Sequence, residues 1–182
     1  MSKKQLVFCT SNQEKVKDLQ HILGEDFLVV NVSIDLAEIQ GSPEEITLAK
    51  AKEAYRLLKK PLIVEDTCLC FNAFGGLPGP YIKYFLLNIG PQGLYKTLEK
   101  FEDKTGYALC TFGYADENDV KIFKGRVNGT IVEPRGKIDI SWNSIFEPNG
   151  YDKTFSELSF EEKNKVSHRY RAAMELKVRS LL

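Results

Sequence analysis

Apolar and polar positions switch between two spacings along this chain, and the switches lay out its elements. Leu6 to Thr10 is a short apolar run with the composition of a strand. From Asn12 onward Val16, Leu19, Ile22 and Leu23 fall at helical spacing until Gly24 interrupts them. Phe27 to Val32 reads as a second strand. Ser42-Pro43-Glu44-Glu45 then supplies an N-cap, a proline at the first helical position and a capping-box glutamate for a helix running to about Leu58. Leu62 to Val64 predicts a buried strand ending in Glu65-Asp66, followed by another apolar run, Cys68 to Phe71, and a loop rich in glycine and proline from Gly75 to Pro80.

The second half is less regular. Helical segments are predicted over Tyr81 to Leu87 and Pro91 to Phe101. Tyr107 to Ala115 and Val120 to Val127 flank Asp116-Glu117-Asn118-Asp119 as a long hairpin. Arg135 to Gly150 reads as loop with a short strand near Ile138. Two helices close the chain, near Phe160 to Lys165 and from His168 onward, the last with an inward stripe of Tyr170, Met174, Val178 and Leu181. Strands and helices interleave without a strict βαβ rhythm, which predicts an α/β protein with a mixed, twisted sheet.

Length and composition narrow the picture. The 182 residues suit one compact domain, 1–182, and 43% hydrophobic with 27% charged residues is the mixture of a folded chain with a closed core. Lys plus Arg equal Asp plus Glu at 25 each, so no polyelectrolyte surface is present to hold a long nucleic acid, although a small anion needs only a few convergent cations. The four cysteines, Cys9, Cys68, Cys70 and Cys110, lie in or beside apolar runs as small hydrophobes do, without the C-x2-C pairs of a zinc site. The apolar run near the amino terminus, Leu6 to Cys9, is too short for a signal segment or a membrane span, and a reducing cytoplasm is the expected setting.

Several groups of residues have chemical as well as structural readings. Thr10-Ser11-Asn12-Gln13-Glu14-Lys15 sits at a strand-to-helix junction, where unpaired N–H groups and a first-turn lysine suit a phosphate, while Ser11 or Asn12 as an ordinary cap explains the same residues. Lys50 is the only charge on the helical arc that carries Ile46, Leu48, Ala51, Ala54, Tyr55, Leu57 and Leu58. It must snorkel from the edge of the stripe or meet an anion. Glu38 and Glu65-Asp66-Thr67 offer hard oxygen ligands of the kind magnesium prefers, or turn and cap residues. Ser167-His168-Arg169 places two potential cations in the first turn of the last helix, against its dipole, unless an anion or an electron-rich carbonyl is received there. Glu161-Glu162-Lys163-Asn164-Lys165 reads as a solvated helix face from which Lys163 alone stands out as a candidate.

Taken in order, Thr10 to Lys15, Ser42 to Lys50, Val64 to Thr67, Gly75 to Pro80, Phe146 to Tyr151 and Ser167-His168-Arg169 resemble the inosine triphosphate pyrophosphatase family, and the run from Val64 to Lys83 is similar to its eukaryotic branch. The resemblance implies an elongated, two-lobed single α/β domain: a central twisted mixed sheet flanked by helices, an active-site cleft between the lobes, and a homodimer. It implies hydrolysis of ITP, dITP and XTP to the monophosphate and pyrophosphate by in-line attack of water on the α-phosphorus. Thr10, Ser11, Asn12, Gln13, Glu14 and Lys15 would hold the triphosphate, and Lys50 and Lys163 would neutralise it. Glu38, Glu65, Asp66 and Thr67 would handle magnesium, with manganese as a substitute, and Asp66 would act as general base or as metal ligand. Ile140, Ser141, Trp142 and Asn143 would line the base, and Ser167, His168 and Arg169 would read the purine 6-keto group. Neither nucleic acid nor membrane is an expected partner.

The chain departs from the family pattern at Trp142-Asn143-Ser144, where an acid usually follows the aromatic residue. Asn143 still donates and accepts hydrogen bonds, so this departure bears on the choice among ITP, XTP and GTP. Two alternatives fit the same residues: a catalytically silent purine-nucleotide binding protein, and a pyrophosphatase with an altered base preference.

Overall fold

The structure, a computed structural model, describes residues 3–181; Met1, Ser2 and Leu182 of the expected 1–182 domain lie outside the described residues. Among the described residues seven strands, β1 (Lys4–Cys9), β2 (Phe27–Val32), β3 (Leu62–Phe71), β4 (Pro78–Gly79), β5 (Thr105–Ala115), β6 (Val120–Ile131) and β7 (Phe146–Pro148), form a mixed sheet. Their order is β2-β1-β3-β5-β6-β7, with β4 paired to β3. β1 runs parallel to β2 and β3, and β3–β4 and β6–β7 are antiparallel. Among the described residues five α-helices accompany them: α1 (Gln13–Leu23), α2 (Pro43–Leu58), α3 (Ile82–Thr97), α4 (Phe160–Val166) and α5 (His168–Leu176). This is the α/β class and mixed sheet that the interleaved pattern predicts. No helix among the described residues is long and apolar enough to cross a membrane.

The chain divides into two compact units, each assembled from separated segments: Met1–Asp66, Cys110–Gly125 and Ser167–Leu182 in the first, Thr67–Leu109 and Arg126–Val166 in the second. The first unit buries two apolar layers. Leu6, Phe8 and Ile63 meet Leu19 and Leu23 of α1 and Ala172, Ala173 and Leu176 of α5. Val7, Cys9, Leu62 and Val64 meet Ala51 and Ala54 of α2. Odd and even residues of β3 thus face opposite helices, as the two-residue period of a strand requires. The second unit has its own core, in which Leu69, Phe71, Leu94, Trp142, Phe146 and Phe155 are buried together.

Local signals set the helix ends. Asn12 caps α1 and Gly24, at φ 79°, ends it. Ser42 and Glu45 form the capping box of α2 behind Pro43. The break expected between Leu87 and Pro91 is present as Gly90, at φ 64°, within α3. Three expectations fail. β3 does not stop at Glu65-Asp66 but runs through both acids to Phe71, because their charges are compensated by residues distant in sequence. The short strand of the 135–150 region is Phe146–Pro148 and not near Ile138, which is exposed. Phe146 is fully buried, and burial decides which segment can pair. The buried face of α5 is His168, Arg169, Ala172, Ala173 and Leu176, whereas Val178 is 63% exposed. A reading by hydropathy undervalues alanines and a paired arginine.

Candidate active site in the first unit

Glu65 and Asp66 follow Val64 on β3 and are both buried. Strand alternation sends them to opposite faces: Glu65 shares the face of Ile63, against α1 and α5, and Asp66 shares that of Val64, against α2. Two buried carboxylates are tolerated in a strand only if each is paired, and each face supplies cations.

On the Glu65 face, Arg169 of α5 donates Nε to Oε2 at 2.9 Å and Nη2 to Oε1 at 3.0 Å, a bidentate fork. Its Nη1 donates to Asp18 Oδ2 at 2.6 Å. Lys15 Nζ lies 3.2 Å from Glu65 Oε1. Burial alone would lower the Arg169 pKa, but the charge and hydrogen bonds of Glu65, with Asp18 adding to them, hold it above its ordinary value, so Arg169 is cationic at every working pH. The same burial, reinforced by Glu65, pushes the Cys110 thiol up and keeps it neutral.

Of the two potential cations at the start of α5, Arg169 is met from inside the protein, and the anion that the helix dipole argument demands includes Glu65 and Asp18. Asp18 escaped the sequence reading. Its signal was an acid at helical spacing with Lys15 and Ile22, beside Leu19, on the buried side of α1. Gly125 of β6 makes the approach of α5 feasible: a Cβ there would lie 2.1 Å from His168 O and 2.3 Å from Ala172 N. Ser167 caps α5, accepting from the Tyr170 N–H, and His168 is buried in its first turn.

On the Asp66 face, Lys50 of α2 lies 3.9 Å from Asp66 Oδ1 and 3.4 Å from Glu38 Oε1, with only 12% of its side chain exposed. Of the two readings open for Lys50, the lysine meets anions. Glu38 is the exposed member of the group.

At the β1–α1 junction, Asn12 Oδ1 accepts the N–H groups of Glu14 and Lys15 at 2.9 and 3.2 Å, and the Asn12 N–H is donated to Thr10 Oγ1 at 3.1 Å. Capping and the phosphate candidates thus coincide: Asn12 is the cap, Ser11, Gln13 and Glu14 are exposed beside it, and Lys15 turns inward onto Glu65.

The remaining candidates belong to the second unit. Thr67 is half-buried and follows Asp66 on β3. Trp142 is 7% exposed and packs edge-on to Phe146 at 5.7 Å, within the core. Ile140 is 74% exposed, Ser141 and Asn143 are half-buried, and Lys163 is half-buried on α4.

Among the described residues no three His, Cys, Asp or Glu side chains form a ready-made metal cluster. The donor set nevertheless fits magnesium, which takes one or two carboxylates and completes its shell with water and substrate phosphates. Glu38 and Asp66, joined through Lys50, are such a pair. Glu65, the other acid of the expected ligand set, faces the opposite side of the sheet, where Arg169 and Lys15 engage it.

Residues 6–179 match the model of the Ham1 family. The chain is similar to the Ham1 protein of Staphylococcus aureus, with 28% identity over 96% of this chain and 97% of that one and a TM-score of 0.83. It is similar to a HAM1 protein from Coxiella burnetii, with 26% identity, 96% and 97% coverage and a TM-score of 0.85. A nucleoside-triphosphatase from Mycobacterium abscessus, described as a dITP/XTP pyrophosphatase, shares the fold at 24% identity, 94% and 98% coverage and a TM-score of 0.73. With the family model covering nearly its whole length, and the sheet and helices of those structures in place, the chain belongs to the Ham1 family.

Proposed function

We propose that this chain is a hydrolase that cleaves noncanonical purine nucleoside triphosphates, ITP, dITP and XTP, into the monophosphate and pyrophosphate. The observation that carries the reading is the Lys50 ammonium set against Asp66 and Glu38, a cation beside two hard carboxylates, in a chain of the Ham1 family. Water attacks the α-phosphorus as the bond to the bridging oxygen of the β-phosphate breaks, and pyrophosphate leaves with the electron pair. Asp66 orients the water and accepts its proton. Lys50 and Lys15 offset the charge that develops on the departing phosphates, and Thr10, Ser11, Asn12, Gln13 and Glu14 hold the triphosphate at the start of α1.

Magnesium, held by Glu38 and Asp66 and replaceable by manganese, would polarise the phosphate oxygens when bound, and Thr67 is assigned to it on the strength of the resemblance alone. Lys163 is assigned to phosphate, and Ile140 to Asn143 with Ser167 and His168 to the base, on the strength of the resemblance. The homodimer, the cytoplasmic setting and the lack of nucleic-acid or membrane partners are proposed on the same ground. Residues 1–182 are proposed to fold as one domain, because β3, β5 and β6 each supply residues to both units. Asp66→Asn tests the chemistry: turnover of ITP falls by at least about a thousandfold, whereas near-normal turnover would remove Asp66 from the site.

A further inference from the structure

We infer that Asp18 is a positioning residue for this reaction, acting through Arg169 on Glu65 and thereby on Lys15. The inference rests on the proposed pyrophosphatase reading and deepens it. Four side chains of alternating sign form a chain: Asp18 accepts from Arg169 Nη1 at 2.6 Å, Arg169 grips Glu65 with two bonds of 2.9 and 3.0 Å, and Glu65 faces Lys15 at 3.2 Å. Asp18, Glu65 and Arg169 are 5%, 4% and 7% exposed, so water cannot substitute for any of their partners at low cost. The four formal charges sum to zero, and Glu65 has two of the cations directly against it.

The geometry gives each member a task. Asp18 occupies the third position of the Arg169 fork, so the guanidinium plane has one orientation and presents Nε and Nη2 to Glu65. Glu65, held by both oxygens, offers Lys15 a fixed anion. Asp18 and Lys15 stand three residues apart on α1, so the helix that carries the phosphate-facing ammonium also carries the carboxylate that begins the chain. Lys15 retains 19% exposure of its side chain, and it is the one member of the four with a substantial surface toward solvent. The arrangement preorganises a cation for a charge that grows only during the reaction, which is where rigidity is worth most.

The relay and base recognition by Arg169 make different demands on Asp18. A relay ending on Lys15 acts on the phosphates, so its loss is the same for every base. An Arg169 reading the 6-keto group would change the ratio between bases instead.

The test is a double-mutant cycle with Asp18→Asn, Arg169→Met and both together, assayed with magnesium on ITP, XTP and GTP. Asp18→Asn keeps size and a hydrogen-bond acceptor and leaves Arg169 paired with Glu65, so the fold survives. Its kcat is expected to fall roughly 10- to 100-fold, by the same factor on each base, with KM within about threefold. Asp18→Glu restores most of the loss. In the Arg169→Met background, Asp18→Asn brings no further fall in kcat, because the residue acts through the arginine, while it recovers part of the stability lost to the buried carboxylate left without its arginine. Losses that multiply independently, or a loss confined to one base, would overturn the relay while leaving the pyrophosphatase reading intact. A wild type silent on all three nucleotides would overturn the reading and the relay with it.

Discussion

Glu65 and Asp66 are neighbours in sequence and face opposite sides of the sheet, Glu65 onto Arg169 and Lys15, Asp66 onto Lys50. Two adjacent acids on a strand therefore do separate jobs. Under the proposed function Asp66, with Glu38, is the carboxylate offered to a metal and a water molecule, while Glu65 is paired with Arg169 and Lys15.

That division separates two substitutions one residue apart. Asp66→Asn is expected to abolish the response of ITP turnover to magnesium. Glu65→Gln is expected to keep the magnesium half-saturation within about threefold while lowering kcat and costing about 3 kcal/mol of stability, since Arg169 loses a charged partner inside the protein. Magnesium titrations and denaturant curves of the two variants check this. Equal loss of the magnesium response in both would return Glu65 to the ligand set.

Lys50 lies 3.4 Å from Glu38 and 3.9 Å from Asp66, the two carboxylates proposed to hold the metal. Lys50→Met is expected to tighten magnesium binding several-fold, because Asp66 and Glu38 lose their internal counter-ion, and to lower kcat by roughly 100-fold or more, because the departing phosphates lose a cation. Calorimetric magnesium titration with steady-state kinetics reads both effects. Weaker binding together with unchanged kcat would contradict the assignment.

Gly125 is a steric requirement for the approach of α5. Gly125→Ala places a methyl group 2.1 Å from the His168 carbonyl oxygen and is expected to destabilise the protein by about 1–3 kcal/mol, with a loss of activity beyond what reduced folding explains, because the start of α5 carries Arg169. Thermal melts and specific activity of the folded fraction decide it.

Stability should also fall on the alkaline side. Burial pushes the Cys9 thiol from its ordinary 9.0 up to about 11, against a smaller opposing pull from Lys60. A thiol raised in the folded state favours folding fully below the unfolded value. Between about pH 9 and pH 11 the unfolded chain ionises first, so this contribution is lost over that window. Denaturant midpoints measured from pH 8 to pH 11 should decline, and Cys9→Ala should flatten part of the decline.

Asn143 stands where the resemblance leads one to expect an acid. Asn143→Asp is expected to change the ratio of kcat/KM among ITP, XTP and GTP while leaving the magnesium dependence alone. An unchanged ratio would take Asn143 out of base selection.

What could be read from the sequence follows the range of each interaction. The caps at Asn12, Ser42 and Gly24 lie within four residues of the elements they terminate, and the prediction and the structure agree there. The break at Gly90-Pro91 is local in the same way. The course of β3 through Glu65 and Asp66 was illegible, because what neutralises Glu65 comes from α1 and from α5, 104 residues away. The inward face of α5 was misread for the same reason: Arg169 counts as polar until its carboxylates are known. Lys50 showed through as a lone charge on an apolar arc, although its partners did not.

The most direct measurement of the central claim is product analysis after incubating the purified protein with ITP, and separately with ATP, in magnesium and again in EDTA. IMP and pyrophosphate are expected from ITP, little product from ATP, and no product from either in EDTA. Orthophosphate and IDP from ITP, or saturable ITP binding with no cleavage at all, would contradict it.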